Sequence, residues 1–327
     1  MSAADSVIAA RPSQARPSHF HLISVMAFTV LVWSINYTVA KIGFLHVRPL
    51  ALASFRILVA GLAMLPVAVW CAVKERREAQ AGRPSGLKRI GRDDLWNFAC
   101  LGFFGVFLNQ GIFTVGLSMT SVGRSAIVVA TPPIFILLAA WSQGIERLTS
   151  RKAAGLAVAF AGALVLGAGH GWDLRSTGAR GDLLTFCACL SVVIFTVLGK
   201  RMAKSYDSVQ LMAYNVTFAG LFALPIAVWQ AAVLIRAGEW GAIGWQGWGS
   251  VAYMGVLSSA LCISLYFWVL RWLPPSKIGA LSYLQPVVGT PFAALMLGEP
   301  MTLDLLSGGA LILAGVYAIE SDRSERE

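Results

Sequence analysis

Several apolar stretches carry side chains spaced for binding a small molecule. Trp33, Tyr37 and Lys41 recur every fourth residue, so on a helix they share one face, with Asn36 on the adjoining edge. A second stretch holds Asn109, Gln110, Phe113 and Thr114. A third holds Ser258, Ser259, Cys262 and Tyr266, again at steps of four from Ser258 to Tyr266. Tyr283 and Gln285 stand ahead of Pro286, as Thr131 stands ahead of Pro132-Pro133. An amide in an apolar helix costs free energy unless it is paired or wetted. Two readings follow: an interhelical hydrogen bond, or the wall of a cavity. The cavity reading selects Trp33, Asn36, Tyr37, Asn109, Phe113, Thr131, Ser259, Tyr266, Tyr283 and Gln285 as contacts to a small molecule. Neutral and aromatic groups suit zwitterions or amphipathic metabolites better than polyphosphates, which call for several buried Arg or Lys.

Arg56 is the one charge well inside an apolar run. A lone arginine in hydrocarbon is costly, so it must face protein or water. It either meets a substrate carboxylate or ties its helix to neighbouring carbonyls, and both readings stand. Catalytic sets are missing from the apolar runs: there is no His-Glu-x-x-His, no Gly-x-Ser-x-Gly and no Asp-rich metal motif. Asp93-Asp94 reads as a helix cap and His170-Gly171-Trp172-Asp173 as a solvated turn. Cys187-x-Cys189 lacks metal-ligand spacing, and no phosphate-binding loop is present. Catalytic residues, a metal and a cofactor are therefore not expected.

The elements that must position these residues are set by composition. The 327 residues are 57% hydrophobic and 13% charged, and the mean hydropathy is +0.69. Soluble domains carry about 25% charge, so the fold class is an all-α polytopic membrane protein. Apolar runs fall at about 22–43, 49–73, 95–117, 122–142, 152–169, 181–199, 208–235, 249–271, 277–297 and 302–320. Each approaches the roughly 20 residues that span a bilayer as a helix, which predicts ten transmembrane helices. Residues 1–20 are polar with no apolar segment before a cleavage site, and read as a disordered tail. The net charge of +10 does not mark a nucleic-acid partner, because the basic residues lie between the spans. With the N-terminus cytoplasmic, 19 Lys and Arg fall inside and five outside. That bias places both termini in the cytoplasm of a cell with an inner membrane.

The sequence also repeats itself. Offset by 153, Pro133 falls on Pro286, Glu146 on Glu299, Thr149 on Thr302, Gly155 on Gly308 and Gly162 on Gly315. Offset by 159, Lys41 falls on Lys200, Gly61 on Gly220, Pro66 on Pro225 and Trp70 on Trp229. The unit is five helices, residues 21–170 and 181–320, followed by a short tail at 321–327. An odd number of spans inverts the second copy, which is a transporter architecture with its site near the midplane. The stretch Trp33-Ser-Ile-Asn36-Tyr37-x-x-x-Lys41, the Phe55-Arg56 pair, the Pro133 and Pro286 helices and the turn Leu297-Gly298-Glu299-Pro300-x-Thr302 resemble the EamA-type transporters of the drug/metabolite transporter superfamily. That resemblance implies export or exchange of small metabolites, often amino acids, through a central cavity. The expected function is secondary transport by alternating access, with amino acids or related zwitterions as first choice. A drug or cation efflux carrier and, further off, a membrane-embedded enzyme are the alternatives. The expected partners are a small-molecule substrate and the lipid bilayer.

Inversion also suggests gates. Topology puts Lys200 with Glu146 on the cytoplasmic side and Lys41 with Glu299 on the outer side, so each pair would close one mouth. Pro133 and Pro286 read as pivots at helix kinks. Thr149 and Thr302 read as helix N-caps. Small residues at four-residue steps, Gly155, Ala159, Ala163 and Gly167 against Ala310, Ala314 and Ala318, pack either the two halves or a second protomer. Both monomer and homodimer are consistent with this.

Overall fold

The computed structural model describes residues 17–81, 87–88, 90–120, 125, 128–129, 131–168, 179–203, 205–281, 283–297 and 303–322. Among them every regular element is helical. In chain order these are α1 (His19–Phe44), α2 (Pro49–Gln80), α3 (Arg92–Met119), α4 (Pro132–Ser142), α5 (Ser150–Ala168) and α6 (Ala179–Ala203). Then follow α7 (Ser208–Arg236), α8 (Trp240–Leu270), α9 (Pro275–Leu281), α10 (Leu284–Leu297) and α11 (Leu303–Glu320). Six of them, α1, α2, α3, α6, α7 and α8, are long and apolar enough to cross a membrane.

Local chemistry explains the ends. Ser18 caps α1 by accepting the His21 N–H at 3.2 Å, and Asp207 caps α7 by accepting the Val209 N–H at 2.9 Å. The Asp94 carboxylate accepts the Gly91 N–H at 2.9 Å, which makes the predicted cap at Asp93-Asp94 a feature of the structure. Thr149 accepts the Lys152 N–H at 3.2 Å, as its reading as an N-cap of α5 requires. Two helices run longer than the hydropathy indicates. α2 continues to Gln80 because Lys74–Gln80 are good helix formers that need no bilayer. α8 opens with a 3-10 turn, Trp240–Ile243, ahead of Gly244 at a φ of 61°, with Trp245 82% exposed at the edge of the apolar region.

Glycines set how closely the helices pack. A Cβ on Gly61 of α2 would lie 2.6 Å from the Gly220 Cα of α7. Arg48, before α2, donates to Glu239, after α7, at 2.8 Å, while Lys88, after α2, and Gln210, in the first turn of α7, exchange backbone-to-amide bonds of 3.2 and 3.0 Å. The two helices are therefore antiparallel. α5 and α11 repeat the arrangement. A Cβ on Gly155 would come 2.9 Å from the Gly315 oxygen, and one on Gly162 would come 2.7 Å from the Gly308 oxygen. Thr149 bonds Asp322 at the end of this antiparallel pair. Gly155 and Ala159 of the first stripe thus pack on Gly315 and Ala318 of α11, between the two halves, whereas Ala310 and Ala314 of the second stripe are exposed.

The prolines differ from expectation in place. Pro132 and Pro133 open α4, and Pro286 is the third residue of α10. They sit in the first turn of a helix that follows a break, and do not kink the middle of one. Proline belongs there because first-turn N–H groups have no helical acceptor to lose. Glu299, Thr302, His170–Asp173 and the greater part of both tails lie outside the described residues.

The glycine contacts carry a stability prediction. Gly61→Ala forces a methyl group into backbone, an overpacking change that costs about 1–3 kcal/mol. A detergent melting curve is expected to drop by several degrees. Gly249→Ala, whose Cβ meets nothing within 4 Å, is expected to leave the midpoint unchanged or raise it.

Candidate functional site

A cavity of about 160 Å³ opens among α1, α2, α3, α4, α6, α8, α9 and α10. Trp33, Asn36, Tyr37, Asn109, Phe113, Tyr266 and Gln285 line it, and so does Arg56. Thr131, Ser259 and Tyr283 do not. Thr131 turns its hydroxyl to the Val128 oxygen at 2.7 Å, holding the break ahead of α4. Tyr283 is 1% exposed, buried against the core. Ser259 stands one layer behind the wall, where its hydroxyl bonds Gln110 Oε1 at 2.6 Å and the Met254 oxygen at 2.7 Å.

The wall is held by bonds between distant helices. Trp33 Nε1 donates to the Ser258 carbonyl oxygen at 3.0 Å, and the Tyr37 hydroxyl donates to Gln285 Oε1 at 3.3 Å. Thr196 and Tyr266 share a hydroxyl–hydroxyl bond of 2.7 Å, and Asn109 Nδ2 donates to the Ala188 oxygen at 2.7 Å. Rings pack edge to face or stacked around the space: Tyr37 on Phe113 at 5.8 Å and Phe195 on Tyr266 at 6.0 Å. Asn36 is 6% exposed and its Oδ1 has no donor.

Two π-helical segments shape the site, Phe103–Leu108 in α3 and Tyr253–Leu261 in α8. Each contributes to the lining, through Gly105 and Ser258. A π turn inserts an extra residue and leaves carbonyls displaced from the α ladder, a frequent feature of functional helices. Here the Trp33 indole takes up the Ser258 carbonyl. Gly105 leaves room for the Phe195 ring, whose atoms would overlap any Cβ there. Nothing in the residue types announces these turns.

α6 was missed by residue chemistry, yet it supplies Cys189, Val192 and Phe195 to the wall. The repeat could have found it. The offset of 159 carries Trp33 and Asn36 onto Val192 and Phe195.

Lys200 and Glu146 have other partners than each other in this structure. Glu146 is 5% exposed and its carboxylate takes Lys152 Nζ at 2.7 Å, the Ser276 N–H at 3.1 Å and the Ser276 hydroxyl. Lys200 instead donates to the carbonyl oxygens of Leu270 and Leu273, both at 2.7 Å. Helix polarity explains the exchange of partners. The C-terminal end of α8 presents carbonyls and attracts a cation, while the N-terminal end of α9 presents N–H groups and attracts a carboxylate. Lys200 and Glu146 thereby brace the Arg271–Pro274 turn from its two sides. Lys41 lies half-buried in the last turn of α1, and its expected partner Glu299 is outside the described residues.

The profile of one family, the EamA-like transporters, matches residues 22–168 and again 179–321. This chain belongs to the EamA-like transporter family. It is a multi-pass membrane protein, and its family and relatives are transporters and not enzymes. The transporter is 24% identical over 299 residues to an uncharacterized transporter of Archaeoglobus fulgidus, covering 91% of this chain and 98% of that one. It is 26% identical over 295 residues to a probable terminal-alkyne amino-acid exporter of Streptantibioticus cattleyicolor, covering 90% and 91%. A solved crystal structure superposes with a TM-score of 0.67 at 18% identity over 91% of this chain and 97% of that one, a likeness of fold.

The clamp on the α8–α9 turn carries a test. Glu146 and Lys152 form an ion pair with side chains 0% and 1% exposed. Removing one partner of such a pair strands a buried charge at a cost of about 3–5 kcal/mol. Lys152→Met is expected to lower the melting midpoint sharply, and adding Glu146→Gln to restore much of it. Melting curves of the two single variants and the double variant check this.

Proposed function

We propose that this protein is a secondary transporter that exports or exchanges amino acids or related zwitterions by alternating access through the cavity between α1, α3, α6 and α8. The observation that carries the reading is the wall itself: amides, aromatic rings and one cation, Arg56, with no Asp or Glu among the described lining residues. A carrier for organic cations would want a carboxylate there. The donorless Asn36 Oδ1 offers an acceptor to an ammonium group. The name of the relative from Streptantibioticus cattleyicolor, a probable terminal-alkyne amino-acid exporter, is consistent with such cargo.

Alternating access rests on two inverted five-helix repeats, residues 21–170 and 181–320, making ten transmembrane helices in all. The contacts support this reading. Gly61 meets its own repeat equivalent, Gly220. Gly155 meets Gly315 and Gly162 meets Gly308, so each glycine touches the equivalent of the other's position. Likewise a Cβ on Gly102 would lie 2.3 Å from the Asn215 oxygen, and one on Gly255 would lie 2.8 Å from the Arg56 oxygen. Reciprocal contacts of this kind are what a twofold relation produces. The family profile also matches the chain twice, once in each half. The lining follows suit, with Gln110 opposite Ile263, Phe113 opposite Tyr266 and Pro132 opposite Gln285 at the offset of 153. The breaks ahead of α4 and α10 flank this space and serve as pivots, with the Glu146–Lys152–Ser276 cluster closing the cytoplasmic end.

The Lys and Arg distribution places both termini in the cytoplasm, with the protein in the inner membrane. A single cysteine at Gly238, in a cysteine-free background, is then expected to react with an impermeant maleimide added outside intact cells, and one at Glu78 to stay protected. The reverse pattern would invert the topology.

Transport itself is tested by counterflow in proteoliposomes. Radiolabelled amino acids, nucleosides and cationic drugs are offered to vesicles preloaded with the unlabelled compound. Saturable accumulation of amino acids is expected. Accumulation of cationic drugs alone would discard the cargo assignment, and unsaturable conductance would point to a pore.

A further inference from the structure

Arg56 is 3% exposed, and its guanidinium reaches the cavity wall. Nη1 donates to Thr114 Oγ1 at 3.4 Å and Nη2 to Ser259 Oγ at 3.2 Å. Nε, equally buried, has no acceptor. Both hydroxyls are already engaged elsewhere, Thr114 with the Gln110 carbonyl oxygen at 2.7 Å and Ser259 with Gln110 Oε1 at 2.6 Å. No carboxylate among the described residues pairs with Arg56, and none lines the cavity around it.

Hydroxyl dipoles hold a guanidinium in position but leave its charge uncompensated. A charge taken out of water without a counter-charge is costly, in protein and in hydrocarbon alike. A tie between α2, α3 and α8 needs no charge at all. The repeat equivalent of Arg56 shows an uncharged form: Asn215, 0% exposed, donates to the Leu211 oxygen of its own helix at 3.0 Å, leaves its Oδ1 without a partner and does not line this cavity. The cation therefore stands on one side of the cavity only, held by two neutral groups, with one N–H unused.

We infer that Arg56 is the anion anchor of the cavity, and that cargo enters with a carboxylate that docks on its guanidinium. The inference rests on the transporter reading above and narrows it. A carboxylate supplies both the missing counter-charge and the missing acceptor, in the planar two-point geometry that guanidinium favours. Ser259, Thr114 and Gln110 position the anchor from behind. The rings of Trp33, Tyr37, Phe113 and Tyr266 receive the apolar remainder of the molecule. The same anchor repels amines that lack an acid group.

The test uses the full chain in lipid nanodiscs and three probes of equal size: L-phenylalanine, L-phenylalaninamide and 3-phenylpropanoate. Titration calorimetry is expected to detect both carboxylates and not the amide. Arg56→Gln is expected to weaken both carboxylates at least about 30-fold, the loss that follows when one partner of a buried charge pair is removed, with Arg56→Lys in between. The wild-type comparison needs no variant, so the test survives a misfolded Arg56→Gln, which a melting curve would reveal. Equal binding of amide and carboxylates, failure of both carboxylates to bind, or undiminished binding to a folded Arg56→Gln would each overturn the anchor. Saturable counterflow confined to cargo that lacks a carboxylate would overturn it while leaving the transporter reading intact. Carboxylate binding without saturable counterflow would keep the anchor and remove the transporter reading.

Discussion

At Gly61 and Gly220 two antiparallel helices cross with no side chain between them, and the rest of the structure depends on contacts of this kind. Between membrane helices the hydrophobic effect supplies no attraction, because lipid tails are as apolar as leucine. What remains is the close approach of backbones, and only glycine permits it at the distances seen here. Gly155 with Gly315 and Gly162 with Gly308 repeat the solution for α5 and α11. Such contacts leave the rotation of each helix little choice. Fixing α2 against α7 sets the rotation of α2, and an adjacent face of the helix meets Gly255 of α8 through the Arg56 carbonyl oxygen and Val59. The packing seam and the functional face are thus set by one geometry.

A membrane interior also demands that polar groups find partners, and the site meets that demand unevenly. Most of the wall is satisfied internally: Trp33 by the Ser258 carbonyl, Tyr37 by Gln285, Tyr266 by Thr196 and Asn109 by Ala188. These bonds make the aromatic lining rigid. Asn36 Oδ1 and Arg56 Nε are left over, and both residues belong to the cavity. These two buried atoms of the described wall are of opposite demand, one acceptor and one donor, and a visitor that carries an ammonium and a carboxylate complements both. The helix-end clamps obey the same rule away from the cavity. Lys200 meets carbonyls and Glu146 meets N–H groups because a helix offers those groups at opposite ends.

Much of this was legible residue by residue. The helical runs, the Thr149 and Asp94 caps, and the cavity positions of Trp33, Asn36, Tyr37, Asn109, Phe113, Tyr266 and Gln285 follow from hydropathy, capping chemistry and four-residue spacing. Ser259 and Tyr283 illustrate the limit. Spacing puts them on plausible faces, but depth within the bundle is a property of neighbours, and both lie behind the wall. Prolines marked the breaks correctly and misplaced them by half a helix, since sequence alone does not say whether a proline kinks a helix or begins one. Lys200 and Glu146 have other partners than each other in this structure: topology names the end of the molecule on which a charge sits, and not the partner nearest to it.

The sequence by itself determined the membrane environment, the all-helical class and the recurrence of residues between halves, because these depend on composition and on order along the chain, whereas the split of the 277–297 run into α9 and α10 came from the structure. Membrane residence follows from 13% charge among 327 residues, and the correspondence from constant offsets between glycines, prolines and acids. Tertiary structure alone decided where the chain departs from regularity and which polar groups remain unsatisfied. At the π turn Tyr253–Leu261 the Trp33 indole takes up the Ser258 carbonyl, and at the π turn Phe103–Leu108 the Phe195 ring lies over Gly105, contacts between residues far apart in the chain. Arg56 is recognisable in the sequence as a charge inside an apolar run. Whether it lacked a counter-charge depended on every helix that packs around it, and that is a statement about contacts, which no linear order contains.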